Sequence, residues 1–191
     1  AYFVGAIPTA HLIALRAGED IRAMGSGNVG ALNAYRSLGK PAAAGVLLVD
    51  VGKGAVVMLA GLAIDVPDWS MYIGALAAML GHNFPIYIGF RGGKGVAVMT
   101  GVSLVVLPVL TLLSVPALIL GYLLFRKAFW ALFFALITLN VLTIVTGQSA
   151  AQIVLCLVLT ALVGSTHLLR AFRQLWPAIK TLDFHRIGQI E

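Results

Sequence analysis

Apolar runs separated by short polar segments make up most of this chain. Runs of this length and continuity predict helices, and most of them are long enough to cross a lipid bilayer. The predicted helices cover residues 1–16, 41–64, 69–89, 96–107, 109–125, 128–147 and 150–168. The fourth run is too short to span a membrane alone at about 1.5 Å per residue, so we expect it to be tilted or broken near Pro108.

The composition indicates that lipid surrounds these helices. Of the 191 residues, 60% are hydrophobic and only 10% are charged, whereas an average soluble domain is about 25% charged. The pattern predicts an all-α integral membrane protein, a bundle of about seven transmembrane helices in a single domain over residues 1–191. In that setting a net charge of +6 indicates contact with anionic lipid heads rather than nucleic acid. We expect no signal peptide, because the first residues lack a basic region.

The basic residues fall on one side of the predicted topology. If residue 1 lies outside and the helices alternate, twelve of the thirteen Lys and Arg residues lie in or beside the inner segments. These segments are residues 17–40, 90–95, 126–127 and 169–191. The outer connections carry Asp65 and Asp68 but no basic residue. The positive-inside rule therefore predicts an outside N-terminus and a cytoplasmic C-terminus, in a multi-pass protein of the cell inner membrane.

Two glycine-rich polar segments lie between the helices, both on the predicted cytoplasmic side. Residues 25–36 read GSGNVGALNAYR, and residues 81–95 read GHNFPIYIGFRGGKG. Glycines let backbone N–H groups converge on an anion, and Arg36 and Lys94 add positive charge. Both segments therefore predict anion cradles, with phosphate as the expected anion, and their shared face of the membrane would let them build one site.

Neither segment fits a nucleotide-binding motif. The first matches G-x-G-x-x-G formally, but no strand precedes it and a transmembrane helix follows. Residues 31–38 can instead open a short helix whose N-terminus favours an anion. The second segment lacks the first glycine of a Walker A motif, and Gly95 stands where Ser or Thr would hold magnesium. For the first segment, a tight cytoplasmic turn with a positive-inside arginine is the alternative.

Several ionisable residues lie inside the predicted helices or near their ends, and four of them are candidates for the site. Asp50 and Lys53 are three residues apart and share a helix face, and an intramembrane charge pair is a functional hypothesis by default. The pair could hold a phosphate, or it could be a structural ion pair facing the bundle. His82 could serve the site or only bind a freed backbone carbonyl, and His167 at the end of the last helix is equally ambiguous.

Three blocks of the sequence resemble one family, the bacterial PlsY glycerol-3-phosphate acyltransferases, which use acyl phosphate as donor. The blocks are residues 25–36, Asp50 with Lys53 and Gly54, and residues 81–95. The similarity covers most of residues 1–100 and is highly specific there. Beyond that range it is mainly a pattern of hydrophobic spans together with His167.

The resemblance implies seven transmembrane helices, no metal and no cofactor. It implies acyl transfer from acyl phosphate to the 1-hydroxyl of glycerol 3-phosphate, which gives lysophosphatidate and phosphate in the first step of phospholipid synthesis. The site would lie at the cytoplasmic face among membrane lipids, with no nucleic acid or nucleotide as partner. Two cradles would hold two phosphates, and catalysis would be mainly proximity plus charge stabilisation.

We predict site residues from the three blocks and from the last helix. The predicted catalytic residues are Ser26, Arg36, His82 and Lys94. The predicted substrate- or phosphate-binding residues are Gly27, Asn28, Asn33, Asp50, Lys53, Asn83, Arg91, Gly92, Gly93, Gly95 and His167. Two positions depart from the family pattern: Leu32 stands where Thr is usual, and Arg170 stands where Asn is usual. Either departure could alter the affinity for the acceptor.

Two other functions remain open at this point. A membrane transporter of phosphate or a phosphate ester would also need anion sites, but transporters bind near the membrane midplane, whereas these polar groups gather at one face. A noncatalytic lipid-binding protein would keep its function when both glycine loops are truncated. The sequence contains no H-x-x-x-x-D acyltransferase signature, no zinc-ligand cluster and no G-x-S-x-G motif.

Overall fold

The structure is a computed structural model that describes residues 1–180, with only the helical backbone described from residue 173 onward. The helices are α1 (Tyr2–Ala6), α2 (Thr9–Arg16), α3 (Ala31–Leu38), α4 (Lys40–Ala63), α5 (Asp68–Asn83), α6 (Val96–Val106), α7 (Pro108–Leu113), α8 (Val115–Phe125), α9 (Ala128–Val145) and α10 (Ala150–Lys180). Two 3-10 turns lie at Ile21–Ala23 and Ile86–Ile88. Over residues 1–180 the regular elements are all helical, in agreement with the predicted all-α class. The predicted inner segment 169–191 lies partly outside the described residues.

Four helical segments within the described part of the chain are long and apolar enough to cross a membrane. They are Lys40–Ala63, Pro108–Phe125, Ala128–Val145 and Ala150–Phe172. Val96–Val106 is apolar but shorter, as its sequence predicts. The count of seven spans and the sidedness of the termini stay predictions.

Two predicted helices are interrupted where proline enters an apolar run. The predicted helix over residues 1–16 is divided into α1 and α2 at Ile7 and Pro8. The predicted helix over residues 69–89 ends at Asn83, two residues before Pro85. Proline lacks an N–H group and disfavours a helical residue before it, so both predicted spans were too long. The first break leaves a backbone carbonyl, that of Ile7, available to a side chain.

The first compact unit, Ala1–Pro108, packs its helices through glycines. A Cβ on Gly54 or Gly101 would overlap a backbone carbonyl oxygen of the facing helix, where α4 meets α6. Gly5 and Gly81 stand in the same relation where α1 meets α5. Small residues of this kind let helix backbones approach closely in membranes. The close approach brings the polar residues of α4 and α5 near the break between α1 and α2.

A small apolar core anchors both glycine-rich segments in this unit. Val29 comes from the first segment and Ile88 from the second, and both are buried in one cluster. The cluster comprises Ala10, Ala14, Ile21, Val29, Ala34, Val46 and Ile88. The two segments, about 60 residues apart in sequence, are therefore held by the same core.

The second compact unit begins at Val109. The predicted helix over residues 109–125 is divided at Ser114 into α7 and α8, again just before a proline, Pro116. Asn140 on α9 donates to the hydroxyl of Thr160 on α10 at 2.8 Å. The prediction of a single domain over residues 1–191 stays a prediction.

Candidate active site

A buried ion pair lies at the break between α1 and α2. The Lys53 ammonium donates to Oδ1 of Asp50 and to the carbonyl oxygen of Ile7. The Thr9 hydroxyl donates to the same Asp50 oxygen at 3.0 Å. Asp50 and Lys53 are only 2% and 4% exposed. A charge taken this far from water is stable only when it is paired and hydrogen-bonded, as both are here.

His82, near the end of α5, faces this ion pair. Its Nδ1 lies 3.9 Å from Oδ1 of Asp50, a distance that suits an ion pair when the ring is protonated but is too long for a direct hydrogen bond. The His82 side chain is buried, so it lies inside the unit with the pair. Three groups predicted separately from sequence, Asp50, Lys53 and His82, therefore form one buried cluster.

The second glycine-rich segment folds back onto the end of α5. The Gly93 N–H donates to the His82 carbonyl at 2.9 Å, and the Gly92 N–H donates to the Asn83 carbonyl at 3.2 Å. A Cβ on Gly92 would overlap the His82 carbonyl oxygen, and one on Gly93 would overlap the His82 ring. Only glycine fits at either position. Lys94 follows directly and is half-buried.

Gly95 turns the chain from this loop into α6. Its φ of +87° is in the left-handed region, which glycine adopts without strain. A Cβ on Gly95 would come within 2.8 Å of Oδ1 of Asn83. Asn83 is 1% exposed, and neither polar atom of its side chain has a hydrogen-bond partner among the described residues. Buried polar groups normally have a hydrogen-bond partner. The unmet hydrogen-bonding capacity of Asn83 is therefore consistent with its predicted role in binding.

Asn33 organises the first glycine-rich segment. Its Nδ2 donates to the carbonyls of Ile21 and Met24, at 3.1 and 3.0 Å, and its Oδ1 accepts from the Ser26 N–H at 3.0 Å. Gly25, with a φ of +51°, leaves room for that oxygen, which a Cβ would overlap. Asn33 is buried, and these hydrogen bonds fix the loop in which Ser26 lies.

The other residues predicted in the first segment are closer to solvent. Ser26 and Arg36 are exposed, while Gly27 and Asn28 are half-buried. Gly27 has a φ of +68°, so a side chain there would be strained. Arg91, in the second segment, is also exposed. The predicted role of these exposed cations in binding an anion stays a prediction.

Both glycine-rich segments lead into the N-terminus of a helix. Gly30 is the N-cap of α3 and Gly95 is the N-cap of α6, and because both are glycines no cap side chain covers the first turn. The predicted short helix over residues 31–38 is confirmed. Free N–H groups and the helix dipole make such an end attractive to an anion. The unit therefore has two positions of this kind, one in each segment.

One small cavity joins all three sequence blocks. Its volume is about 10 Å³, near the minimum for a single water. It is lined by Ala6, Ile7, Pro8, Thr9, Val29, Asp50, His82, Pro85, Gly92 and Gly93. Val29 belongs to the first glycine-rich segment, and Gly92 and Gly93 belong to the second. Of the predicted site residues, Asp50, His82, Gly92 and Gly93 line this cavity at the break between α1 and α2.

His167 lies in the second unit. Its Nδ1 is 3.3 Å from the carbonyl oxygen of Val163, and its ring meets that of Phe129 edge-on with the centroids 6.0 Å apart. These contacts place it on α10 beside α9. Its predicted part in binding stays a prediction.

Sequence reasoning missed two features of this region. Thr9 lies within the predicted helix over residues 1–16, and no residue near it in sequence indicates that its hydroxyl donates to Asp50. His11 is not among the predicted site residues, yet it is buried with Nδ1 3.3 Å from Oδ1 of Asp20, without the alignment of a hydrogen bond. Side-chain hydrogen bonds from Arg22 hold the pKa of Asp20 well below its usual range.

Residues 1–180 contain no group of three or more His, Cys, Asp or Glu side chains placed to hold a metal.

The chain is similar to known proteins over most of its length. A family profile described as "Glycerol-3-phosphate acyltransferase" matches residues 1–175. A glycerol-3-phosphate acyltransferase of Geobacter sulfurreducens is 49% identical over 122 residues, which cover 63% of this chain and 62% of that protein. The alignment therefore spans about six tenths of that relative. Glycerol-3-phosphate acyltransferase 4 of Dehalococcoides mccartyi is 38% identical over 174 residues, covering 89% of this chain and 92% of that protein.

Two solved structures share the fold. One is PlsY (YgiH), an integral membrane glycerol 3-phosphate acyltransferase, in its glycerol 3-phosphate form; it matches with a TM-score of 0.83 and 32% identity, over 95% of this chain and 94% of that one. The other is the lysophosphatidic acid form of PlsY, with a TM-score of 0.80 and 32% identity, over 94% of this chain and 88% of that one.

Proposed function

The chain belongs to the glycerol-3-phosphate acyltransferase family, and on that premise we propose that it transfers an acyl group from acyl phosphate to the 1-hydroxyl of glycerol 3-phosphate. The products are lysophosphatidate and inorganic phosphate. The reaction needs no metal and no cofactor, and it takes place at the cytoplasmic face of the cell inner membrane. The acyl chain of the donor lies in lipid while the two phosphates meet the protein.

The observation that carries this proposal is the convergence of the three polar blocks on one cavity. Val29, Asp50 and Gly93 come from blocks far apart in sequence and line the same small space. Beside it begin two helices whose N-caps are glycines, α3 and α6. Lys94 directly precedes α6, and Arg36 lies in the last turn of α3. Two helix N-termini beside one polar centre suit a reaction in which both substrates carry a phosphate.

The reaction requires little beyond the placement of the two substrates and the stabilisation of negative charge on the leaving phosphate. The hydroxyl oxygen of glycerol 3-phosphate attacks the acyl carbon, the bond from that carbon to the phosphate oxygen breaks, and an ester forms. The departing phosphate takes the hydroxyl proton, so no protein base is required. Because acyl phosphate is already activated, holding the two substrates together supplies much of the acceleration. Lys94 and Arg36 offset the negative charge that builds up as the phosphate leaves.

The two segments supply directed hydrogen bonds at the start of the helices that follow them. The N–H groups of Ser26, Gly27, Gly92 and Gly93 donate within the loops and fix the backbone before α3 and α6. Each segment binds one phosphate through the N–H groups of the helix turn that follows it and through its own cation. Asn83 adds a buried amide with unmet hydrogen-bonding capacity next to Gly95.

The test is an assay on the purified full chain in lipid nanodiscs. We expect phosphate release from palmitoyl phosphate that depends on glycerol 3-phosphate, with equimolar lysophosphatidate detected by mass spectrometry and no loss of rate in EDTA. Palmitoyl-CoA in place of palmitoyl phosphate should give no product. Uptake of glycerol 3-phosphate into sealed vesicles without ester formation would instead support the transporter and overturn the proposal.

A further inference from the structure

The cluster of Asp50, Lys53 and His82 has no evident room for a substrate. Both members of the ion pair are almost completely buried, and the adjoining cavity, at about 10 Å³, is far smaller than a phosphate ester. The hydrogen bonds of Lys53 go to Asp50 and to the carbonyl of Ile7. A group this enclosed acts on the loops through its neighbours.

His82 is the neighbour that links the ion pair to the second glycine-rich segment. On one side its Nδ1 faces Oδ1 of Asp50 at 3.9 Å. On the other side its ring fills the space that a Cβ of Gly93 would occupy. The His82 carbonyl also accepts from the Gly93 N–H at 2.9 Å. Any change in where the ring lies is passed to the residue before Lys94.

We propose that Asp50 is a positioning residue: its carboxylate, fixed by Lys53 and Thr9, sets the place of the His82 ring and thereby the conformation of residues 91–95, without touching substrate. Thr9 and the Ile7 carbonyl belong to the break between α1 and α2, so the same carboxylate also ties that break to the loop. The activity part of this proposal rests on the proposed function, whereas the part about loop conformation does not.

The test must separate positioning from simple stability. Removing Asp50 alone would leave the Lys53 charge buried without a partner, which strongly destabilises a protein, whereas removing both charges together is often tolerated. The informative variant is therefore the double replacement Asp50→Asn with Lys53→Met, which keeps the side-chain sizes similar. The matched control is Ser103→Ala on α6, which removes a buried hydroxyl that has no hydrogen-bond partner within the described chain.

The first readout is hydrogen–deuterium exchange of the full-length protein in nanodiscs without substrate. We expect exchange in residues 90–95 of the double variant to rise by about tenfold, because the local contact that holds the loop is weakened. Exchange in α4 and α6 should stay as in the wild type, as should all exchange in Ser103→Ala. A uniform rise over the first unit would overturn the proposal, since it would show a general loss of stability.

The second readout is turnover with palmitoyl phosphate and glycerol 3-phosphate. We expect kcat/KM of the double variant to fall by about 100-fold, the effect of displacing a reacting group by about 1 Å, while its melting temperature stays within about 4 °C of the wild type. Lost turnover with unchanged exchange would show direct substrate contact, and unchanged values in both would show a purely structural pair; either would overturn the proposal. A wild type without turnover would refute the proposed function but leave the exchange result valid.

Discussion

The ring of His82 occupies the space in which any side chain on Gly93 would have to begin. A Cβ on Gly93 would overlap Nε2 of His82, and the Gly93 N–H donates to the His82 carbonyl at 2.9 Å. His82 therefore holds Gly93 by its ring and by its backbone. Lys94 is the next residue, so we expect its position to depend on this contact.

Replacing Gly93 with alanine tests that relationship. We expect Gly93→Ala to push the His82 ring aside and lower kcat by about 100-fold, because Lys94 moves with the loop. Overpacking of this kind also lowers the free energy of unfolding by about 1–3 kcal/mol. Steady-state kinetics and thermal unfolding measure the two effects.

The control for this variant is Gly52→Ala. A Cβ on Gly52, in the middle of α4, would meet no atom within 4 Å. Alanine there should leave kcat unchanged and keep or raise stability, by up to about 1 kcal/mol. Full activity of Gly93→Ala would show that the His82 contact does not place Lys94.

Packing between α4 and α6 gives a second prediction. A Cβ on Gly54 would overlap the carbonyl oxygen of Val98, a backbone atom that no side-chain rotation can move. We expect Gly54→Ala to separate the helices and to lower the free energy of unfolding by about 3 kcal/mol or more. Gly45→Ala on the same helix is the control, since its nearest neighbour would be the flexible end of Ile13 at 3.5 Å. Equal melting temperatures for the two variants would contradict the packing seen here.

Features set by neighbouring residues could be predicted from the sequence. Residues 31–38, which follow the glycines of the first segment, were predicted to open a short helix, and α3 has these bounds. The shortness of α6 followed from the length of its apolar run before Pro108. Spacing alone put Asp50 and Lys53 on one face of α4, and the structure confirms their contact. In each case the cause lies within a few residues of the effect.

Features that depend on distant contacts could not be predicted. The Thr9 hydroxyl donates to Asp50, which is 41 residues away, and no residue near Thr9 in sequence indicates that partner. Asn33 was predicted to bind substrate, yet its recorded hydrogen bonds go to loop backbone 7 to 12 residues before it. The break at Pro8 was missed because hydrophobicity dominates the run around it. A sequence shows which polar groups are present but not which of them tertiary packing will join.

Asn33 gives a third prediction, about the first glycine-rich segment. Asn33→Ala removes hydrogen bonds to Ile21, Met24 and Ser26. We expect a loss of about 1–3 kcal/mol in unfolding free energy, because loop groups are left unpaired. We also expect a higher KM for one of the two substrates, because the loop that carries Ser26 relaxes.

Two further variants sharpen this prediction. Asn33→Asp keeps the acceptor for Ser26 but loses both donors and buries a charge, so it should be no better than alanine. Tyr35→Phe on the exposed side of α3 should match the wild type, since Tyr35 is 48% exposed. Wild-type kinetics in Asn33→Ala would mean that its hydrogen bonds do not shape the site.

Asp20 gives a prediction about pH. Hydrogen bonds from the Arg22 side chain, and from its backbone N–H, hold the pKa of Asp20 below its usual range. A lowered pKa in the folded state means that Asp20 stabilises the protein above the unfolded-state pKa of about 3.9 and loses this effect as the pH falls towards the folded value. The melting temperature of the wild type should therefore be higher than that of Asp20→Asn at pH 7, and the difference should become smaller below about pH 4. Added salt should also reduce this difference in melting temperature, because the Asp20–Arg22 ion pair is exposed. A difference that does not change with pH would contradict the lowered pKa of Asp20.

Removal of the two cations tests the proposed site most directly. Arg36 is exposed in the last turn of α3, and Lys94 is half-buried directly before α6, whose N-cap is Gly95. We expect Lys94→Ala and Arg36→Ala each to lower kcat by about 1,000-fold with the fold intact, because charge on the leaving phosphate is no longer offset. Lys94→Arg should retain more activity than alanine, since it keeps the charge but changes the geometry.

Lys40→Ala is the matched control for these two variants. Lys40 is an exposed cation at the start of α4, on the same predicted inner face. Lys40→Ala removes the same single positive charge as each of the other two variants. If the positive charge of the inner face acted only in general, turnover would fall in all three variants. If Lys94 and Arg36 act at the site, turnover of Lys40→Ala stays at the wild-type rate. The measurement is phosphate release at saturating palmitoyl phosphate and glycerol 3-phosphate. Undiminished turnover in both Lys94→Ala and Arg36→Ala would overturn the two-phosphate site, because the one remaining Lys or Arg of the two glycine-rich segments, Arg91, could not hold two phosphates.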